Sequence, residues 1–483
     1  MTPTLRPLRA PSAVRPRVDR FLLGAVVVSL LLRVPTLWAT PSSDEAGFLL
    51  VARAWSPTPD SLYGRYWVDR SPVLIALYRW SDALVADHGP RLLAAALCAV
   101  LVVAVHLLAA RLAGRTGARV ATVVTVLLLA NPALTAFSAK GEVLGTPLVV
   151  VACVLGVWAV ERGSARPALA AGTCAALAVG CKQSLLGAVV FLAVLFAFAL
   201  RPRLAAWASV GAALPVVACL AWVAVSAATL EALWFQVVGF RADASAVLAA
   251  SDSHAPVARA HELVLLFVLS GMAPLLALGL TSLRRSPAVL ALVAMTVADL
   301  GAVVVGGSYW HAYLVPLVPD VALLAALAAR LPLTRFAAGL TAVATLAAYA
   351  GFVQTRLVDP GTGPWQVGRA VGEVAAPDDT VLTVYGGAEV VQASGLPSPY
   401  EHLWSLPMRT LDPRLDGLRS VLAGPAAPTW VVQVIPSDSW GIDTGGRVRA
   451  LLVERYQLVS IACGPMVWQR KDALRADLPL HCT

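Results

Sequence analysis

Charge is scarce in this chain: 13% of its residues are charged, about half the share a water-soluble globule carries. A soluble enzyme is thereby excluded. The 58% hydrophobic content and positive mean hydropathy indicate a bilayer protein. Lysine is rarer still, with Lys140, Lys182 and Lys471 alone in the sequence, so the net charge of +9 is carried by arginine. The arginines are spread over many short loops rather than gathered on one face. That pattern argues against nucleic acid as a partner and makes the charges a report on topology. Metal-ligand spacing is also missing from the cysteines. Cys98, Cys153, Cys174, Cys181 and Cys219 fall inside apolar runs and read as small core residues. Cys463 and Cys482 lie in the tail, where an extracytoplasmic location would permit a disulfide between them. No convincing internal repeat is found, which disfavours a transporter architecture.

What is present is a series of long apolar runs, such as Phe21 to Trp38 and the run from Leu204, and roughly 20 such residues span the hydrocarbon as a helix. Eleven helices are expected, at about 21–38, 91–110, 118–136, 143–160, 167–181, 184–200, 204–228, 262–283, 287–306, 312–329 and 336–356. The first is expected to be retained, since it follows an arginine-rich arm, residues 1–20, and ends without a small-residue cleavage site. That arm (Arg6, Arg9, Arg15, Arg17, Arg20) and every second loop after it are basic: Arg111, Arg115 and Arg119; Arg162 and Arg166; Arg201 and Arg203; Arg284 and Arg285; Arg330 and Arg335. These read as cytoplasmic. The alternate loops, including the long ones at 39–90 and 229–261, and the tail then face outward. The shortest joint is CKQS at 181–184, where merging two helices would invert everything downstream.

Continuous hydrophobicity stops near Asp359, so a transmembrane domain at 21–356 is followed by an extracytoplasmic domain at 357–483. There the pattern alternates an amphipathic helix (WQVGRAVGEVAA), a strand (TVLTVYG), a helix (LDGLRSVLAG), a strand (TWVVQVIPS), a helix (GRVRALLVERY) and a final strand pair. That order predicts a small α/β layer.

Loop 39–90 is too long for a connector. Ser42 or Ser43 followed by Glu45 reads as a helix start with an apolar side, and a second helix is expected from Ser71 to about Val85, with Tyr78 and Trp80 at headgroup level. Asp44 and Glu45 admit two readings. Acids in a first turn complement the helix dipole; a carboxylate fixed at such a helix start can also serve as a general base toward an acceptor hydroxyl.

The segments LLLRVPTLW, DEAGFLLVARAW, LYGRYWVDRSPVLIALYRW, GGSYWHAYLVPLVP and PDDTVLTVYGG, taken with the multi-span body and the α/β tail, resemble the protein O-mannosyltransferase and lipid A aminoarabinose transferase-like branch of the GT-C glycosyltransferases. The resemblance implies a polytopic helical enzyme of the cell envelope membrane. Such an enzyme moves a sugar from a polyprenyl-phosphate carrier, with inversion, to a lipid, glycan or protein acceptor at the outer face. It places the catalytic aspartate at Asp44, with Glu45 its usual neighbour. Some GT-C enzymes use a divalent cation such as magnesium or manganese and others none, and no motif here decides that.

Departing phosphate requires cations nearby. Lys140 and Lys182 sit at expected outer helix ends, where they either snorkel or contact phosphate. Arg33 in the first helix has the same two readings, and Asp299 is a structural counter-ion for it or for another cation. Tyr309, His311 and Tyr313 are either aromatic-belt residues or contacts to the donor sugar and phosphate. Arg70, Arg65 and Asp69, with Arg241, His254 and His261, are similar candidates, and SPYEHLWSLPM, with Tyr400, His402 and Trp404, is the most ligand-like loop of the tail. The alternatives to an enzyme are a polytopic lipid or sugar transporter or flippase, and a non-catalytic relative serving envelope assembly.

Overall fold

The computed structural model describes residues 19–250, 254–355 and 363–480. Most of the arginine-rich arm, the Asp359 boundary and Cys482 lie outside these. The described chain forms two compact units, one of residues 19–38, 88–222 and 254–354, the other of residues 39–87, 223–250 and 355–480. Helices are numbered in chain order.

The first unit is helical throughout. It comprises α1 (Arg20–Leu31), α4 (Gly89–Ala130), α5 (Gly141–Arg162), α6 (Ala165–Cys181), α7 (Gly187–Phe198), α8 (Pro202–Val225), α11 (Ala255–Leu269), α12 (Met272–Leu280), α13 (Pro287–Val305), α14 (Leu317–Leu327) and α15 (Pro332–Val353). Each of the eleven expected segments has a counterpart among the described residues. Helix α4 supplies two, divided by a kink at Gly114, whose φ of 74° would strain a larger residue. One expected segment is instead a bent pair, α11 and α12, meeting at 64° across Ser270 and Gly271. Among the described residues six helices are long and apolar enough to cross a membrane, or seven if that pair is one span.

Apolar surface on α1, α8 and α15 remains largely exposed, as suits contact with lipid. By contrast, every residue of α14 is buried among its neighbours. The connector at 182–186 separates α6 from α7, as the loop-charge pattern requires.

The second unit joins the long loops to the tail. Its first helices are α2 (Ser43–Arg53) and α3 (Pro72–Val85), tied by Arg53, which bonds both Asp82 and Asp87 at 2.6 Å. Tyr78 departs from the expected headgroup position: it is buried, with its ring edge against Phe48 at 5.5 Å, whereas Trp80 is exposed. Residues 229–261, expected as a loop, are largely helical. Helix α9 (Leu230–Trp234) runs through a π turn at Phe235–Gly239 into α10 (Phe240–Ala249), and the chain resumes as α11. The π turn turns Gln236 inward, where its side chain accepts a 2.7 Å hydrogen bond from the Leu62 N–H.

The tail folds as a four-stranded sheet, β1 (Val381–Val384), β2 (Trp430–Gln433), β3 (Tyr456–Ser460) and β4 (Met466–Arg470), in the order β1-β2-β4-β3. Strands β1 and β2 are parallel, and β4 runs antiparallel to both β2 and β3. Residues in β1 and β2 are buried on both sides, so these strands read as continuous apolar runs. The expected helices appear as α16 (Pro364–Val374), α19 (Asp416–Ala423) and α20 (Arg447–Arg455). Two short helices were not foreseen, α17 (Ala388–Ser394) and α18 (Ser405–Leu411).

Candidate active site

In the second unit the site is built on the start of α2. Ser42 adopts extended backbone, its Oγ accepts from the Glu45 N–H, and the Glu45 carboxylate accepts from the Ser42 N–H at 2.9 Å. This reciprocal cap satisfies two amides that the first turn would otherwise leave open. Glu45 is buried in it, whereas Asp44 Oδ1 receives the indole Nε1–H of Trp404 at 3.1 Å. The Trp404 ring also lies 5.6 Å from that of Phe48. Gly47 makes that approach feasible: a Cβ there would fall 2.2 Å from the indole. The side chain of Ser43 hydrogen-bonds Glu389 of α17, whose carboxyl is pushed up by burial and, further, by the charge of Asp44.

Arg70 bonds Asp69 at 2.7 Å and lies 5.5 Å over the Phe48 ring, and Asp69 is paired in addition with Arg241. The SPYEHLWSLPM loop is packed inward: Tyr400 and His402 are buried, and Tyr400 donates to Asp412 at 2.8 Å. Burial pushes the His402 imidazole down to about 4, against an opposing pull from Asp412.

In the first unit Lys140 is the N-cap residue of α5, and Glu142 stands in its first turn. Lys182 pairs with Glu142, and its Nζ sits 4.0 Å from the centroid of the Tyr313 ring. His311 Nε2 approaches Glu262 at 3.8 Å, and the Tyr309 hydroxyl donates to the Val304 carbonyl at 3.3 Å. Arg259, missed by sequence reasoning, donates to the Ser308 carbonyl at 2.7 Å and stacks on Trp310 at 4.4 Å. Arg33 is buried, donating to the Ala136 carbonyl at 2.8 Å and stacking on Phe137 at 5.5 Å. The expected pairing of Asp299 with Arg33 is not made. Asp299 instead lies beside Asp320 of α14, and both carboxyls are buried.

Asp44, Glu45 and Arg70 thus belong to the second unit, while Arg33, Lys140, Lys182, Tyr309, His311 and Tyr313 belong to the first. Glu142 and Trp404 are the polar partners that sequence spacing did not reveal. An acid in a first turn before an apolar run was a visible signal for Glu142; Trp404 stood in an aromatic loop, but nothing local marks it as a partner of Asp44. Among the described residues no group of three or more His, Cys, Asp or Glu side chains converges as a metal site.

No family model matches the chain, and no curated protein does. Among solved structures, ArnT from Cupriavidus metallidurans, determined bound to undecaprenyl phosphate and in the apo state, matches with a TM-score of 0.63 at 16% identity, over 93% of this chain and 97% of its own. Arabinosyltransferase EmbB from Mycobacterium smegmatis scores 0.47 at 18% identity, over 66% of this chain and 31% of its own. The chain has a helical membrane-protein fold like that of ArnT, shared over 93% of its length.

Proposed function

We propose that the protein is an inverting membrane glycosyltransferase that moves a sugar from a polyprenyl-phosphate carrier to an acceptor hydroxyl, with Asp44 as general base. The observation that carries this reading is the state of Asp44 within an ArnT-like fold. It stands in the first turn of a capped helix, one oxygen is held by an indole N–H, and the neighbouring acid is already consumed by the cap. A carboxylate so fixed is suited to accepting a proton.

In the step proposed, the acceptor oxygen attacks the anomeric carbon as Asp44 takes its proton, and the bond from that carbon to the phosphate oxygen breaks. Charge then accumulates on the departing lipid phosphate. Donor contacts are proposed for Arg70 in the second unit and for Arg33, Lys140, Lys182, Tyr309, His311 and Tyr313 in the first, since a cation in place before the reaction stabilises a leaving group without reorganisation. The topology that goes with this reading puts the N-terminus in the cytoplasm and residues 357–483 outside, in line with the alternation of basic loops.

Mass spectrometry of the lipid carriers and envelope glycans of cells with and without the gene tests this. The expected result is loss of one glycan modification together with accumulation of a polyprenyl-phosphate sugar. Substrate flux in liposomes without any product would instead support a transporter.

A further inference from the structure

We infer that the C-terminal domain takes part in the transfer itself by supplying Trp404 as the positioning residue for Asp44. This rests on the proposed role of Asp44 as base, and it adds a residue from 360 positions along the chain.

Three independent features converge on the contact. The indole N–H, which can only donate, meets Asp44 Oδ1 at 3.1 Å. Its ring is fixed beside Phe48, which is itself fixed by Tyr78 and by Arg70 above its face. Helix α2 also presents Gly47 where any larger side chain would collide with the indole.

A neutral donor suits this task. A directed hydrogen bond from a neutral indole orients one carboxylate oxygen and lowers its basicity only modestly. Other ionisable groups on α2 and the elements packed against it have partners of their own: Arg53 pairs with Asp82 and Asp87, and Arg79 lies over the Trp55 ring. Glu45 is engaged in the cap, Arg70 is paired with Asp69, and Glu389 is a buried carboxyl held toward its neutral form. Such an arrangement makes the tail part of the reaction centre, because without it Asp44 loses this partner.

The test uses the full chain in lipid nanodiscs with 15N-indole tryptophan, the Trp404 resonance being assigned by its loss in Trp404→Phe. In the wild-type protein that resonance should move with pH through a single inflection, and in Asp44→Asn it should stay fixed. In transfer assays with a polyprenyl-phosphate sugar, Trp404→Phe should move the rising limb of the pH–rate profile upward by roughly one pH unit with KM unchanged. Glu389→Gln should leave that limb where it is. A Trp404 resonance indifferent to Asp44→Asn, or an unmoved limb in Trp404→Phe, would overturn the inference. Should Trp404→Phe fail to fold, the remaining tryptophan variants assign the resonance by elimination and the comparison with Asp44→Asn still decides. If the indole follows Asp44 and no polyprenyl-phosphate sugar is consumed by the wild type, the contact stands and the glycosyltransferase reading fails.

Discussion

The two units hold their key charges by opposite means. In the second, the Asp44 carboxylate accepts a hydrogen bond from a neutral indole; in the first, the Lys182 ammonium is matched by the Glu142 carboxylate and by the face of Tyr313. A neutral donor fixes position at little cost to reactivity, while an ion pair makes each member depend on the other for its burial. The difference suits a group that must take up a proton in one case and a cation that must stay in place in the other.

The largest structural effect should come from breaking the pair in the first unit. Lys182→Met leaves Glu142, 7% exposed, without its hydrogen-bonded counter-charge and with only the more distant Lys140, and the expected loss is up to about 3–5 kcal/mol of stability. It would be read from thermal unfolding in detergent, with Glu142→Gln added to Lys182→Met recovering most of the loss. Equal stability of the single and double variants would break the contrast.

In the second unit the dependence should be on pH. His402 has its folded value lowered from 6.5 to about 4 by burial, so the unfolded chain binds the extra proton between those values. Stability from this group is therefore full above about pH 6.5 and is lost as pH falls toward 4, by up to about 3 kcal/mol. His402→Phe should flatten this part of the unfolding profile.

A smaller effect is expected from Gly47→Ala. The added methyl must displace the Trp404 ring, at about 1–3 kcal/mol. The loss of indole contact should appear as a shift in tryptophan emission, and unchanged emission would show that the ring is not pinned as described.

What was legible in the sequence follows the range of the interactions. The Ser42–Glu45 cap, the eleven apolar segments and the strand–helix alternation of the tail are written in spacing over a few residues, and the structure has them. The π turn carrying Gln236 interrupts a helix in a stretch read as a loop, because WFQVVGF has neither a cap nor a clear period. Lys182 stood out by its rarity, while Glu142, 40 residues earlier, became its partner only through the packing of α5 against α6. Asp299 appeared to need a cation, yet the fold set it beside another carboxyl, Asp320. Trp404 seemed at most a ligand-binding aromatic; that it is spent on Asp44 depends on a contact across 360 residues, which no periodicity encodes.

The central claim is that Asp44 is the base. Its most direct test is the rate of sugar transfer from a polyprenyl-phosphate donor by Asp44→Asn protein in nanodiscs, alongside wild type of equal folding quality. The expected loss is about 10²- to 10⁴-fold with insertion and thermal stability unchanged; transfer at the wild-type rate would contradict Asp44 as the base.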